Sequence, residues 1–497
     1  PPAAITASTQ LAQLGVDSVA SVSLMHALEQ RLGRKLSTSL AFSHPTVGEL
    51  ARHLCQPAAA ESSPLQIDVK PILGREEYPL SFTEGYLFEL IERQPRQEAY
   101  NLFLPLRVAG PLDAEALAAA WAALLQRHDN LRTAFSRRDG RLVRRVLAAV
   151  PFALEQVELS SLSAESRDAA VRRACAELRH RHFDLAKPPL LAVRLLRLAA
   201  QESLVLISIS HLVTDAWGLG VMRRDLDALY EAACSGGVAS LPALTLRAAD
   251  FAVATEAAFR ELLAVGQAAF PPYPAEDFRF PYDHPLPPSP SIEGKFRIFP
   301  VDEAATARLQ RTGQAHGFSL SMACLVAFQG ALHRLTQKEQ VMFAVVQGNR
   351  RLQALREVVA HVVYSEMFCG DVRGAPSYLS LLGHARQFTL QERIPQQLRT
   401  LLAAPPAMRI LFNFHNFAAG ERGTASRFTL ARELNIFPYL WDSYDLLLQI
   451  FPLGTSIFCN AVYRSEVIEA TTIEAVVKLF CQSLEELAGD PASAFTI

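Results

Sequence analysis

A proline-dense passage in the middle of the chain constrains the fold more than any other feature. Eight prolines lie between Pro271 and Pro290, and proline neither continues a helix nor pairs within a central strand. On both sides of this passage the sequence mixes amphipathic helical patterns with short apolar runs typical of strands. The sequence therefore predicts an α+β chain whose main part folds as two lobes, with residues 80–265 in the first lobe and residues 266–497 in the second.

The first 55 residues have a shorter and more helical pattern. Apolar residues recur at three- and four-residue steps between Val19 and Leu32, after the potential capping residues Asp17 and Ser18, and a second helix is predicted over residues 46–54. Residues 56–79 carry four prolines without a sustained period, which predicts an extended surface linker. We therefore expect a small helical domain at residues 1–55, incomplete at its N-terminus, followed by the linker and the two lobes.

Composition and charge exclude several classes of function. The chain has 497 residues, with 48 Lys and Arg against 50 Asp and Glu, so no basic field indicates a nucleic-acid partner. The apolar runs are too short for a membrane span, and the N-terminus lacks a signal-peptide pattern. Seven scattered cysteines without a Cys-x-x-Cys motif argue against a disulfide framework and a cysteine-based zinc site. The sequence predicts a soluble, cytoplasmic protein without a nucleic-acid partner, a membrane partner or a metal.

Ser18 is the first candidate functional residue. It lies in the run Leu-Gly-Val-Asp-Ser-Val at 14–19. A hydroxyl at the start of a helix lies at the positive end of the helix dipole, where a phosphodiester is well tolerated. An Asp-Ser pair before an apolar helix is also typical of an ordinary helix cap, so on the residues alone both interpretations stay open.

His211 is the second candidate, because it follows the apolar run Leu204–Ile209 after one serine. A histidine at the end of a strand titrates near neutral pH and can act as a general base or as a hydrogen-bond donor. Asp215, four residues later, can pair with an arginine or shape the turn. A His-x-x-x-Asp spacing also arises by chance, so a purely structural histidine is the alternative.

Two parts of the sequence resemble known families. Residues 11–55, through the run at 14–19 and the run Ala-Phe-Ser-His-Pro-Thr-Val at 41–47, resemble the acyl carrier proteins of modular polyketide synthases, in which the serine carries 4′-phosphopantetheine. Residues 78–497 resemble the condensation domains of nonribosomal peptide synthetases. The runs that carry this second resemblance are, in chain order, LSFTE at 80–84, RHDNLRTAF at 127–135, FDL at 183–185, SHLVTDAW at 210–217, ADFA at 249–252, RILFNFHN at 409–416 and YDL at 444–446.

The sequence departs from the condensation-domain motif His-His-x-x-x-Asp-Gly at two positions. Ser210 replaces the first histidine, which is usually given a structural role, and Ala216 replaces the final glycine. The second histidine, the one associated with catalysis in the family, is His211. The glycine-to-alanine difference adds a methyl group where the family's pantetheine tunnel passes. A later Phe-Val-Asn-Thr motif becomes Val-Val-Tyr-Ser at 362–365.

The resemblance implies a carrier domain and a condensation domain from a hybrid polyketide and peptide assembly line. The condensation part would be two chloramphenicol-acetyltransferase-like lobes in a V, with His211 at the centre of a tunnel. The donor would be an acyl-phosphopantetheine on Ser18, and the acceptor would come from a downstream carrier protein or a small-molecule nucleophile, with neighbouring synthase modules as partners. We also expect Asp215 to form a structural ion pair with Arg132 or Arg351.

Three functions stay open from the sequence. The first is amide formation with a downstream aminoacyl carrier, and the second is chain release onto a free amine or alcohol, as an amide or an ester. The third is carrier binding without catalysis. The changes at Ser210 and Ala216 are compatible with the second and third functions, whereas the retained His211 and Asp215 favour an enzyme.

Two further features have two interpretations each. Arg350 and Arg351 are candidates for phosphate binding or for an ordinary salt bridge. Trp217 is a candidate for packing between the lobes or for stacking on a substrate.

Overall fold

The computed structural model describes most of the chain. The described residues are 5–9, 11–14, 24–25, 27–29, 31–33, 36, 40, 44, 46–56, 69–72, 74–93, 96–265, 278–288, 291, 294–348, 350, 353–390, 409–415, 426–431, 434, 444–453 and 456–495.

Several of the described helices begin at polar caps, and three of them end at a residue in the left-handed conformation. Asp113 accepts hydrogen bonds from two backbone N–H groups at the start of an Ala- and Leu-rich helix. Gly236, with φ of 65°, ends the helix that follows the His211 run. The described α-helices are α1 (Val47–Cys55), α2 (Phe82–Arg93), α3 (Ala114–Arg127), α4 (Ala164–Arg179), α5 (Ala216–Ser235), α6 (Ala248–Val265), α7 (Glu303–His316), α8 (Leu320–Thr336), α9 (Tyr378–Leu390) and α10 (Ala470–Gly489).

The described strands form three sheets. The strands are β1 (Tyr78–Pro79), β2 (Asn101–Ala109), β3 (Thr133–Arg138), β4 (Arg141–Val146), β5 (Glu155–Glu158), β6 (Leu191–Ala199), β7 (Glu202–Ser210), β8 (Lys295–Val301), β9 (Gln340–Gly348), β10 (Val363–Asp371), β11 (Ile410–Phe414), β12 (Phe428–Leu430), β13 (Leu446–Leu453) and β14 (Ser456–Tyr463). The first sheet has the order β1-β4-β3, the second the order β12-β2-β7-β6-β5, and the third the order β10-β9-β11-β13-β14-β8.

The first lobe is built around β7, which is buried on both faces. Val205 and Ile207 belong to a core that includes side chains of α3 and α5, whereas Leu204 and Leu206 belong to a second core that includes side chains of α4. A strand covered on both faces is apolar throughout rather than at alternate positions. This packing explains the continuous apolar run before His211.

The second lobe has its sheet against a layer of helices. Helix α8 is buried from Met322 to Arg334, and its side chains share one large core with residues of α7, α10 and the strands. Strand β11 runs parallel to both β9 and β13, whereas β13, β14 and β8 pair antiparallel. The prediction of two mixed lobes on either side of the proline-dense passage agrees with this arrangement.

One strand departs from the expected division of the chain at residue 265. Strand β12 pairs antiparallel with β2, with Phe428 opposite Val108, so a segment of the second half completes the sheet of the first lobe. The assignment of residues 266–497 to the second lobe therefore does not hold for residues 428–430. Backbone hydrogen bonds between distant segments decided this exchange, and they leave no local pattern in the sequence.

The predicted linker is also shorter than expected. Tyr78 is only 4% exposed and pairs with Arg144 across β1 and β4. The backbone N–H of Ile72 donates to a carboxylate oxygen of Asp250 at 2.9 Å. The last residues of the segment 56–79 therefore belong to the first lobe, because their polar groups are bound there and Tyr78 is buried.

The N-terminal domain is described only in part. The helix predicted over residues 46–54 is confirmed as α1, where Thr46 and Glu49 form a reciprocal capping box. Leu11, Met25, Leu40 and Leu50 form a small apolar core of their own. Residues 18–23 of the helix predicted from Ser18 onward lie outside the described residues, whereas residues 24–25, 27–29 and 31–32 are helical.

None of the helices within the described residues has both the length and the apolar composition that a membrane span requires. Helices α7 and α8 reach these values only when they are taken together, as a pair bent by 108°.

Candidate active site

His211 lies at the point where β7 ends against its two neighbouring strands. The backbone N–H of His211 donates to the carbonyl of Tyr100 at 2.8 Å, and that of Ser210 donates to the carbonyl of Leu190 at 2.9 Å. The hydroxyl of Ser210 is buried and accepts a long hydrogen bond from the backbone N–H of Leu212, at 3.4 Å. Ser210 therefore supports the turn that carries His211.

The imidazole of His211 has a defined tautomer. Its Nδ1 lies 2.8 Å from the carbonyl oxygen of Thr214, and a carbonyl oxygen can only accept, so the ring hydrogen is on Nδ1. His211 is 8% exposed. Burial lowers its pKa below the ordinary value, although the negative charge of Asp215 opposes this shift. At neutral pH the ring is therefore neutral, with Nε2 as its basic nitrogen.

Residues from two of the sequence runs meet behind the His211 turn. The side-chain amide of Asn130 donates to the carbonyl of Val213 at 2.7 Å, and Arg144 donates to the amide oxygen of Asn130. Arg144 also donates to both carboxylate oxygens of Glu84, at 2.8 and 3.0 Å. Glu84 belongs to the run at 80–84 and Asn130 to the run at 127–135. Together with Arg144, these two side chains form a buried hydrogen-bonded network that reaches the turn after His211. Arg144 was not singled out from the sequence.

Arg132 does not pair with Asp215, so this part of the prediction is wrong. Its guanidinium donates to backbone carbonyls on two sides: those of Leu125 and Gln126 at the end of α3, at 2.8 and 3.3 Å, and those of Leu147 and Ala148 after β4. These carbonyls accept the hydrogen bonds of the Arg132 guanidinium, so it is held without an acidic partner. The second predicted partner, Arg351, lies outside the described residues.

The partner of Asp215 is Arg350. Asp215 is fully buried, and its Oδ1 accepts from Arg350 Nη2 at 2.8 Å and from the backbone N–H of Gly218 at 2.8 Å, which caps α5. Its Oδ2 accepts from the backbone N–H of Val362 at 3.3 Å. One carboxylate thus caps a helix of the first lobe and holds a segment from the second half of the chain. For Arg350 the structure shows the salt bridge rather than a phosphate site.

His361, which the sequence analysis did not single out, lies directly beside His211. The two Nδ1 atoms are 3.1 Å apart, and the two rings meet edge to face with centroids 4.8 Å apart and an interplanar angle of 84°. His361 is 7% exposed. Burial, with the neighbouring His211 and Arg350, lowers its pKa well below the ordinary value. A histidine within the apolar run Val358–Val363 is the signal that could have pointed to it, since buried polar side chains have partners.

Ala216 and Trp217 begin α5 at the same place. Ala216 is half-buried at the first position of the helix. A Cβ at Gly218 would lie 2.3 Å from Thr214 Oγ1, so the position that needs glycine here is 218. The indole N–H of Trp217 donates to the carbonyl of Arg356 at 2.9 Å, which joins α5 to the second half of the chain. This contact fits the packing interpretation of Trp217.

Ser18 lies outside the described residues, so it enters the site on its sequence alone. The described part of its domain is compatible with a small helical carrier, because it has a capped helix and an apolar core separate from those of the lobes.

The fold and the site together define a class: a two-lobed α+β domain with a buried, neutral histidine where the lobes meet. Solved structures share this fold. The X-domain from teicoplanin biosynthesis has a TM-score of 0.69 at 18% identity, over 86% of this chain and 98% of that one. The condensation domain of the Monacolin K polyketide synthase MokA has a TM-score of 0.67 at 17% identity, over 86% and 100%. The predicted α+β fold with two condensation-type lobes is confirmed.

Family models and relatives agree with this class. Residues 74–496 match the condensation domain, and residues 1–54 match the phosphopantetheine attachment site. A linear gramicidin synthase polypeptide of Brevibacillus parabrevis is 26% identical over an alignment of 502 positions, which covers 98% of this chain and 10% of that protein. Phosphinothricin tripeptide synthetase PhsC of Streptomyces viridochromogenes is 28% identical over an alignment of 431 positions, which covers 83% of this chain and 39% of that protein.

The chain therefore belongs to the condensation domain family. Its N-terminal domain is of the phosphopantetheine-binding type, whose prosthetic group is 4′-phosphopantetheine. The chain spans about a tenth of the length of the linear gramicidin synthase polypeptide. The polyketide type of the carrier stays a prediction, since the two relatives named are peptide synthetases.

Proposed function

We propose that the condensation domain joins a carrier-bound acyl thioester to an amine acceptor and forms an amide. The observation that carries this proposal is the distance of 2.8 Å between His211 Nδ1 and the carbonyl oxygen of Thr214. With its hydrogen on Nδ1, held by the carbonyl of Thr214, the neutral ring has its basic nitrogen at Nε2. A lowered pKa keeps this base unprotonated at neutral pH, which is the state that proton abstraction requires.

A single base is sufficient for the proposed reaction. The amine nitrogen attacks the thioester carbonyl carbon, a C–N bond forms, and the C–S bond breaks. His211 Nε2 accepts a proton from the attacking amine and returns it to the departing thiolate. Such a base contributes about 10²- to 10⁴-fold, and holding both reactants in line contributes several kcal/mol more. No metal is needed, because the thioester is already activated.

The sequence supports a proposal for each of the two substrates. We propose Ser18 as the attachment site of 4′-phosphopantetheine and therefore as the position of the acyl donor. The runs at 14–19 and 41–47 support a polyketide acyl chain as the donor, and the family supports an aminoacyl group on a downstream carrier as the acceptor. Neighbouring synthase modules would supply both substrates.

Intact-protein mass spectrometry tests this function. The whole chain is loaded at Ser18 with an acyl-phosphopantetheine and mixed in separate reactions with an aminoacyl carrier, free amines and free alcohols. We expect acyl loss from Ser18 and an acylated aminoacyl carrier, at a rate that His211→Ala lowers by about 10²- to 10⁴-fold. His333→Leu is the matched control, because His333 is also buried and bonded through Nδ1 to a backbone carbonyl, that of Lys338, but in the core of the second lobe. Ser18→Ala controls for loading.

The other two functions are outcomes of the same experiment. Acyl transfer only to a free amine or alcohol would replace the proposal with chain release. A loaded Ser18 that loses no acyl group to any acceptor, or loses it equally fast in His211→Ala, would overturn the catalytic role and favour carrier binding alone.

A further inference from the structure

His361 reaches His211 from a segment that the ion pair of Asp215 and Arg350 holds on both sides. Arg350 Nη2 donates to the carbonyl of Ala360 at 3.0 Å, and the backbone N–H of Val362 donates to Asp215 at 3.3 Å. The residues before and after His361 are therefore both tied to the ion pair of Asp215 and Arg350. A clamp of this kind leaves the backbone of His361 little freedom.

Apolar packing supports the same segment. Leu355, Val358, Ala360 and Val362 form one buried cluster with first-lobe residues around the start of α6, among them Phe251. Val359 belongs to the main core of the first lobe. The segment thus lies where the two halves of the chain meet, and the consecutive side chains of Val358, Val359 and Ala360 are all buried among first-lobe residues.

The hydrogen positions of the two imidazoles follow from their neighbours. Nδ1 of His211 carries its hydrogen towards the carbonyl of Thr214, so the nearby Nδ1 of His361, at 3.1 Å, can only be an acceptor. The hydrogen of His361 is then on its Nε2. One N–H of His211 is shared between two acceptors, a carbonyl oxygen and an imidazole nitrogen.

We propose that His361 is a positioning residue for His211, supplied by the second half of the chain to a base on the first lobe. Its edge-to-face contact restricts rotation of the His211 ring. Its Nδ1 lone pair stabilises the positive charge that His211 acquires when Nε2 accepts the proton of the acceptor, because a hydrogen bond from a charged donor is stronger than one from a neutral donor. This role rests on the proposed function of His211 and adds a residue to it. Ser210, the neighbour of His211 in sequence, bonds a backbone N–H instead.

Two substitutions at residue 361 separate hydrogen bonding from shape. His361→Leu fills a similar volume without an acceptor, whereas the amide oxygen of His361→Asn can reach the position of Nδ1. We expect His361→Leu to lower kcat by about 10- to 100-fold, which is part of the contribution of a general base, with KM within about twofold. We expect His361→Asn to recover most of this loss. His333→Leu is again the matched control, with kcat unchanged.

A double-substitution test identifies the route of the effect. If His361 acts through His211, His361→Leu has no further effect in the His211→Ala background. Equal losses in the two backgrounds would overturn the proposal, because they would show that His361 shapes the site independently of His211. Unchanged kcat in His361→Leu would overturn it as well.

A spectroscopic measurement tests the contact between His211 and His361 without requiring the reaction. In the whole chain labelled with ¹⁵N-histidine, we expect the Nδ1–H proton of His211 to be shifted downfield by its two acceptors. It should move upfield in His361→Leu and return in His361→Asn. An unchanged resonance would contradict the contact itself. If the resonance moves as expected but no acceptor takes the acyl group, the proposed function fails while the pairing of the two histidines stands.

Discussion

Two buried aspartates in the chain have similar partners and different positions. Asp215 pairs with Arg350 between a first-lobe helix and a segment of the second half. Asp445 lies within the second lobe, where its carboxylate binds Arg409, Arg464 and the hydroxyl of Tyr282. Both carboxylates are almost completely buried.

The difference lies in what each ion pair joins. Asp445 and its arginines tie the starts of β11 and β13 to the end of β14, all within one sheet. Asp215 joins α5 to the segment that carries His361, and it does so four residues after His211. Buried ion pairs add little net stability compared with apolar packing, but their removal leaves an unpaired charge. The comparison indicates that the ion pair of Asp215 and Arg350 positions residues of the candidate site, whereas Asp445 and its arginines stabilise the sheet of the second lobe.

Among the substitutions that distinguish the ion pair of Asp215 from that of Asp445, we expect Asp215→Asn to have the largest effect on stability and reaction rate. Asparagine can still cap α5, but Arg350 loses its only described acid partner and the clamp on His361 weakens. We expect the free energy of unfolding to fall by about 3–5 kcal/mol and the single-turnover rate of amide formation to fall by more than tenfold, within the range of a general base. Urea unfolding and acyl-transfer assays measure the two effects.

Asp445→Asn is the matched comparison for that prediction. We expect a loss of stability of the same order, about 3–5 kcal/mol, because two arginines lose their charge partner. Under conditions where this variant is folded, its rate should stay within about twofold of wild type. Equal rate losses in both variants would show that the site is sensitive to any loss of buried charge, and the comparison would fail.

Acidification should lower the free energy of unfolding through His211 and His361, the two histidines near Asp215. Burial lowers the pKa values of His211 and His361 in the folded chain, so the unfolded chain binds more protons below the ordinary histidine value of about 6.5. Their contribution to stability is therefore complete above about pH 6.5 and is lost as the pH falls towards the lowered pKa values. Each tenfold difference in proton affinity between the folded and unfolded chains corresponds to about 1.4 kcal/mol.

Urea unfolding at pH 7.5 and 5.5 measures this effect. We expect His361→Leu to lose less stability on acidification than wild type, because it lacks one of the two groups. His415, whose burial lowers its pKa to about 4, is present in both proteins and cancels in the comparison. Identical losses in the two proteins would contradict the prediction.

The smallest effect is expected next to Asp215, at Ala216. Glycine at this half-buried first position of α5 should cost about 0.5–1 kcal/mol of stability and change the rate of acyl transfer by less than about threefold. Thermal unfolding and the acyl-transfer assay measure both quantities. A tenfold faster reaction in Ala216→Gly would show instead that the methyl group narrows the path to His211.

Local patterns in the sequence predicted many of the elements and the position of the histidine that we propose as the base. The run Leu204–Ile209 became the core of β7, and His211 lies at its end. The residues that support the base were predicted less well. Arg132 was expected to pair with Asp215 but donates to backbone carbonyls instead. The ion-pair partner of Asp215 is Arg350. Several arginines have similar sequence surroundings, and only the folded backbone decides which of them reaches a buried acid.

The sequence by itself determined the α+β composition, the two lobes and the histidine that we propose as the base, because these depend on periodicity and on residues close together in the chain. Only the tertiary structure decided that β12 completes the first sheet, that Arg350 pairs with Asp215, and that His361 lies against His211. These contacts join residues 135 to about 320 positions apart. Their geometry depends on how the two lobes pack, which no local pattern encodes.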